Sequence, residues 1–164
     1  MIAVGFDTSN YTTSVAWFDG RQGDSQGKLL EVKPGELGLR QSDALFQHVK
    51  RLPEIAEAAL CGRNEISAVG ASTRPRAVEG SYMPCFLAGE SQGRVMASAL
   101  GVPFHAFSHQ QGHLAAILWS AGHMELMEGE MLAWHLSGGT TELLHVMPGL
   151  RCEKLGGTQD ISAW

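Results

Sequence analysis

At 164 residues, 44% of them hydrophobic, with 17 acidic against 12 basic side chains, the chain has the apolar material for a domain core, which excludes a disordered tail. No window reaches the roughly 18 consecutive apolar residues that a membrane helix needs. The N-terminus MIAVGFDTSN has neither a basic flank nor a small-residue cleavage site, so a cytoplasmic protein with no membrane partner is expected. A net charge of −5 gives no general footprint for nucleic acid, so an RNA contact would need a local patch or another subunit. Cys61, Cys85 and Cys152 are odd in number and widely spaced, which fits buried thiols rather than a disulfide framework or a zinc ribbon.

In chain order, IAVGFDTS reads as a strand and TTSVAWFDG as a second, pairing as a hairpin across the polar break SNY, with Lys28–Lys33 as a third strand. A helix is predicted from Ser42, because Leu45, Val49, Leu52, Ile55, Ala56, Ala59 and Leu60 recur at helical spacing until Gly62 stops it; Pro53 is a kink point. ISAVGAS, from Ile66 to Ser72, is a short apolar strand. After the loop TRPRAVEGSYM a second helix runs from about Pro84 to Leu100, and its small residues Ala88, Gly89, Gly93 and Ala97 predict close packing. Pro103–Phe107 is another strand, and His109–Ala121 a third helix N-capped by Ser108. The order βββαβαβα is that of a ribonuclease-H-like α/β lobe, assigned to residues 1–125. From Glu130 three strand-like runs, MLAWHLSGG, TTELLHVM and LRCEKLGG, follow without a helix, so residues 126–164 read as the beginning of a second lobe. Three strands with one apolar face cannot bury it alone and must dock elsewhere.

Two turns rich in small hydroxyl residues, DTSNYTTS at Asp7–Ser14 and LSGGTTE at Leu136–Glu142, form a weak internal repeat. Such turns let backbone N–H groups and hydroxyls approach an anion, and a facing pair can grip a polyphosphate; either alone is equally an ordinary hairpin turn. His109 and His113 lie four apart in SHQQGHLAA, which on a helix sets the imidazoles about 40° apart on one face, able to share a metal ion. Two ligands do not close a site. Gln110 stands where a zincin helix needs its glutamate, so this is not a metalloprotease motif. His105 is assigned to a strand and set aside. Trp17, Trp119 and Trp134 sit in apolar runs and are expected in the core. Arg74 and Arg76 are a basic pair near strand ends, on a loop read as solvated.

The stretches GFDTSNYTTSVA, ISAVGASTRPRAVEGSYMPCFLAG, VPFHAFSHQQGHLAA, LAWHLSGGTTELLHV and KLGGTQD, in this order, resemble the N-terminal part of the tRNA threonylcarbamoyladenosine-forming transferases, long described as O-sialoglycoprotein endopeptidases or M22 glycoproteases. The specific part is HxxGH followed by SGG. The resemblance implies the actin, Hsp70 and sugar-kinase class of fold, two ribonuclease-H-like lobes with nucleotide between them. It also implies transfer of threonylcarbamoyl from its adenylate to adenosine 37 of tRNA. By that resemblance His109 and His113 hold iron or zinc, with a further aspartate ligand expected beyond Trp164. Asp7, Thr8 and Ser9 match the first phosphate turn. Ser137, Gly138, Gly139 and Thr140 match the second, and Asp160 matches a contact to the nucleotide ribose. The implied cofactors are a divalent metal and ATP or threonylcarbamoyl-adenylate, with Mg²⁺ as an accompanying cation. The implied partners are nucleotide, tRNA held through other subunits, related tRNA-modification subunits and a second copy of the chain.

The sequence also departs from that pattern. Tyr11 and Thr12 replace acidic residues of the first turn, Thr140 replaces the histidine after SGG, RPR at Arg74–Arg76 replaces GPG, Ile161 replaces the second aspartate of a DD pair, and Trp164 the glycine that follows it. A divergent paralogue is therefore expected, representing only the N-terminal part and without transferase turnover by itself. A non-catalytic partner subunit of the tRNA-modification machinery is the alternative. A peptidase is disfavoured, since neither an activated nucleophile nor an HExxH base is present in the sequence.

Overall fold

The structure, a computed structural model, describes residues 1–35, 38–137 and 140–159, except the side chains of Ser137 and Thr140. It divides into two compact units, Met1–His109 and Gln110–Trp164.

The first unit carries β1 (Ile2–Asp7), β2 (Thr12–Phe18), β3 (Gly23–Leu29), α1 (Gln41–Leu60), β4 (Ile66–Arg74), α2 (Phe86–Leu100) and β5 (Phe104–Ser108), with α3 (His109–Ala121) starting directly after β5. One five-stranded sheet has the order β3-β2-β1-β4-β5. The β1–β2 and β2–β3 pairs are antiparallel, whereas β1–β4 and β4–β5 are parallel. Period-two alternation builds it: Val4 and Phe6 on β1, Val15 and Trp17 on β2, and Val69 and Ala71 on β4 are buried. The third strand is Gly23–Leu29 rather than Lys28–Lys33, because the hairpin register pairs Phe18 with Gly23 and Thr12 with Leu29, so Lys28 is the last residue but one of the strand.

The helix α1 buries Ala44, His48, Leu52, Ile55 and Ala59, spaced at three and four residues on a single face. Leu52, Ile55 and Ala59 close the core around Val4, Phe6, Val15 and Val69. Pro53 lies inside the helix, where it lacks the N–H that would bond the Val49 carbonyl, yet α1 continues to Leu60. Close approach of α2 to the sheet rests on two glycines. A Cβ at Gly89 would stand 3.1 Å from Thr8 Oγ1, and one at Gly93 3.0 Å from Phe104 Cε2.

In the second unit a single 3₁₀ turn, Met124–Glu128, precedes β6 (Met131–Ser137), β7 (Thr140–Met147) and β8 (Arg151–Thr158), an antiparallel sheet of order β6-β7-β8. Its core joins Leu114 and Leu118 of α3 to Leu144, Val146 and Leu150. That packing accompanies the division at 109/110: Leu114 and Leu118 of α3, with Ala115, pack with residues of the strands that follow.

Two tryptophans correct the expectation of a buried set. Trp17 is buried, but Trp119 is 44% and Trp134 65% exposed. In α3 apolar residues surround the helix, and in MLAWHLS they occupy both faces of the strand, so neither periodicity identifies the inward side. Cys85 is buried and Cys152 half-buried, whereas Cys61, the C-cap of α1, is exposed. Among the described residues no helix is long and apolar enough to cross a membrane.

Candidate functional site

The parallel strands β1, β4 and β5 end side by side, and the carboxyl ends of such strands are where α/β folds place ligands. Asp7 closes β1, Ser72 lies two residues before the end of β4, and His109 opens α3 directly after β5. Asp7 Oδ2 accepts hydrogen bonds from Ser72 Oγ at 2.6 Å and His109 Nδ1 at 2.9 Å, and Oδ1 accepts one from the Ser9 N–H at 2.8 Å. Burial opposes ionisation of Asp7, but the hydrogen bond and charge of His109, with the hydrogen bonds of Ser72 and Ser9, outweigh it and lower its pKa from 3.8 to about 2. The carboxylate accepts from the Nδ1–H of His109, which leaves Nε2 as the ring's other polar atom. That nitrogen is 3.5 Å from Ser9 Oγ, and Phe86 meets the ring edge-on at 6.4 Å between centroids.

Residues of the β1–β2 turn alternate in their attachments. Asp7 and Ser9 serve the cluster just described. Thr8 is fully buried; its hydroxyl donates to the Cys85 carbonyl at 2.8 Å and accepts from the Gly89 N–H of α2 at 3.1 Å. Asn10, at φ 46°, presents its carbonyl to Nε2 of His48 on α1 at 3.3 Å, and Nδ1 of that ring is 2.8 Å from Thr13 Oγ1. The Ser9 and Tyr11 carbonyls accept from the Thr12 and Leu30 amides.

The second unit holds a separate cluster. The His113 ring lies 6.2 Å from that of His135 on β6. His135 Nδ1 is buried with no hydrogen-bond partner, 3.7 Å from Glu142 Oε2. Glu142 is only 3% exposed; its carboxylate receives Lys154 Nζ at 3.0 Å and Gln110 Nε2 at 3.5 Å. Sequence reasoning named His113 and missed His135 and Glu142. The signal was present in the hairpin register: pairing Ser137 with Thr140 and counting two residues back along each strand sets His135 opposite Glu142.

Of the residues expected to bind nucleotide, Asp7, Thr8 and Ser9 share one turn, with Thr8 engaged by α2. Ser137 ends β6 and Thr140 begins β7, whereas Gly138, Gly139 and Asp160 lie outside the described residues. His109 and His113 both belong to α3. Among the described residues no group of three or more His, Cys, Asp or Glu is arranged to hold a metal.

A tRNA N6-adenosine threonylcarbamoyltransferase from Thermus thermophilus is 35% identical to the chain, over 99% of this sequence and 49% of its own. The chain is a distant relative of that family. It spans between 32% and 49% of the length of the curated relatives it matches. No known protein-family profile matches it. In three dimensions it is similar to YeaZ from Pseudomonas aeruginosa (TM-score 0.55, 17% identity, 96% of this chain and 66% of that one). It is also similar to a ROK-family transcriptional regulator (TM-score 0.50, 10% identity, 93% of this chain and 37% of that one). These likenesses place the fold in the actin, Hsp70 and sugar-kinase class.

Proposed function

We propose that the chain is the metal- and nucleotide-binding part of a tRNA N6-adenosine threonylcarbamoyltransferase-like protein, acting on an acyl-adenylate or ATP, with tRNA held through other subunits. The observation that carries this reading is the Asp7–His109 pair at the carboxyl ends of the parallel strands. A carboxylate that fixes the far nitrogen of an imidazole leaves the near one to coordinate, as in carboxylate–histidine–metal arrangements.

The donor set fits a borderline transition metal such as iron or zinc, for which neutral imidazole is a common ligand. His109 and His113 on α3 are the proposed ligands. When bound, the ion would act as a Lewis acid on the acyl carbonyl or a phosphate. Asp7 holds the His109 ring in place, and Ser72 and Ser9 hold Asp7. The backbone and hydroxyls of Asp7–Ser9 form one proposed phosphate turn, and Ser137–Thr140 the other, with Asp160 assigned to the ribose. Elemental analysis after loading with iron or zinc tests the reading. Wild type is expected to retain metal and His113→Ala to lose it; equal content in both would end the metal assignment.

A second reading, the non-catalytic partner subunit, is favoured by one feature: Phe46 and Val49 on α1 and Val95 on α2 are 64%, 53% and 63% exposed, large apolar side chains on the helices of the kind that another helical subunit or a second copy covers. Mixing the purified chain with purified tRNA-modification subunits and following the mass of the product distinguishes the two. A stable complex without metal retention supports the partner subunit.

A further inference from the structure

The turn Asp7–Tyr11 is held from two sides by helices, and only one of the two holds uses a titratable side chain. Thr8 is tied to α2 by hydrogen bonds between its hydroxyl and the backbone of Cys85, Phe86 and Gly89, none of which titrates. Asn10 is tied to α1 through His48, which is fully buried. A carbonyl oxygen can only accept, so the Asn10 bond requires Nε2–H as donor; Nδ1 then carries a lone pair, and the Thr13 hydroxyl donates to it. Asn10 is in the left-handed region at φ 46°, which asparagine adopts more readily than most non-glycine residues, and which a contact to its carbonyl can select over the extended alternative. The His48 bond is made to the carbonyl of that residue, and Asn10 directly follows Ser9.

We propose that neutral His48 is the positioning residue of the β1–β2 turn: by bridging Thr13 and the Asn10 carbonyl it fixes Asn10 in its left-handed conformation and so presents Asp7 and Ser9 at the ends of the parallel strands. Protonating the ring would place a charge in a site closed to water and force the Thr13 hydroxyl to reverse, since Nδ1–H needs an acceptor. Burial holds the His48 pKa below its ordinary 6.5; the Asn10 carbonyl and the charge of Asp7 on β1 oppose this, and Arg51, one turn along α1, reinforces it. The thiol of Cys85, before α2, is pushed up by burial and stays neutral. The turn is therefore built to loosen in acid while Asp7, with its pKa near 2, stays ionised.

The consequence for ligand binding rests on the phosphate-turn reading, but the hold on the turn does not, and the test separates them. Amide hydrogen exchange is measured without nucleotide at pH 7.5 and 5.0 for the Ser9, Thr12 and Leu30 N–H groups, with Val69 and Ala71 as core controls, in wild type, His48→Gln and His48→Leu. Glutamine supplies one donor and one acceptor without titrating; leucine supplies neither. Wild type should lose about tenfold or more of its protection at these three amides on going to pH 5.0, with the controls unchanged. The glutamine variant should hold its protection at both pH values, and the leucine variant should lack it at both. A wild-type turn with equal protection at both pH values, or a pH response that persists in His48→Gln, overturns the proposal. Should His48→Leu not fold, the wild-type and glutamine pair still decides. An ATP titration of wild type at pH 7.5 forms a separate arm: no binding there would sink the nucleotide reading alone and leave the positioning role standing.

Discussion

The two polar clusters of this chain are built on opposite principles. In the first unit every oxygen of Asp7 has a donor, and the turn that carries it is anchored into two helices. In the second unit Glu142 is more deeply buried than Asp7 and leans on a lysine that is 55% exposed, while a nitrogen of His135 beside it is sealed from water with nothing to bond. A saturated cluster is stable without a ligand; an unsaturated one carries a cost that a ligand can remove. The comparison therefore predicts that substitutions in the first cluster act by breaking hydrogen bonds already made, and those in the second by changing the cost of a buried charge or an unsatisfied atom.

The largest expected effect tests how much Glu142 depends on Lys154. Lys154→Met removes the ammonium from a carboxylate that is 3% exposed; because the lysine is itself 55% exposed, the cost of breaking a buried pair is discounted to roughly 2–3 kcal/mol. Urea denaturation at pH 7 should show a loss of that order, and Glu142→Gln in the same background should recover most of it. If the double variant is no more stable than Lys154→Met, the buried charge is not the source of the loss.

Asp7 gives the next effect, with a defined pH window. Its folded pKa near 2 lies below the unfolded value of 3.8, so between those values the folded chain binds fewer protons than the unfolded one. Its contribution is complete above 3.8 and is lost as the pH falls towards 2, on the order of 2 kcal/mol in all. Asp7→Asn should lower stability by a similar amount at pH 7 and flatten the stability profile below pH 4. His48 acts in a higher window. Its folded pKa lies below 6.5, so its contribution is complete above that value and is lost as the pH falls through the folded pKa. His48→Gln should remove that slope below pH 6.5 and leave the Asp7 slope intact.

The same contrast explains what could be read from the sequence. The strand–helix order was legible because β1 and β2 alternate, β4 is a short apolar run and α1 repeats at three and four residues. Asp7 and His109 were each legible as candidates, but not as partners: 102 positions separate them, and only the parallel pairing of β1, β4 and β5 brings them together. His48 was hidden inside an amphipathic helix, where a histidine at an apolar position reads as one more core residue. His135 was hidden in a run, MLAWHLS, that is apolar on both faces. In both cases the informative fact is a hydrogen-bond inventory, which residue type and spacing do not specify.

The smallest effect has the opposite sign to the others, which makes it the sharpest test of the contrast. An imidazole nitrogen buried without a hydrogen bond loses its hydration, and the Glu142 carboxylate 3.7 Å away replaces it only in part, so replacing His135 by a leucine should stabilise the metal-free chain by about 1 kcal/mol. The substitution is not a removal of bulk: β6 continues, its pairing with β7 at Glu142 is made by backbone, and the Glu142 carboxylate keeps Lys154 and Gln110. A second measurement decides why the histidine is there. If its nitrogen is a metal donor, zinc should raise the melting temperature of wild type and shift that of His135→Leu much less, reversing the order of the two proteins once the ion is present. If the leucine variant is less stable than wild type without metal, the nitrogen is satisfied in solution and the second cluster is as complete as the first. If zinc shifts both proteins equally, His135 is not among the donors and the ion is held by other side chains.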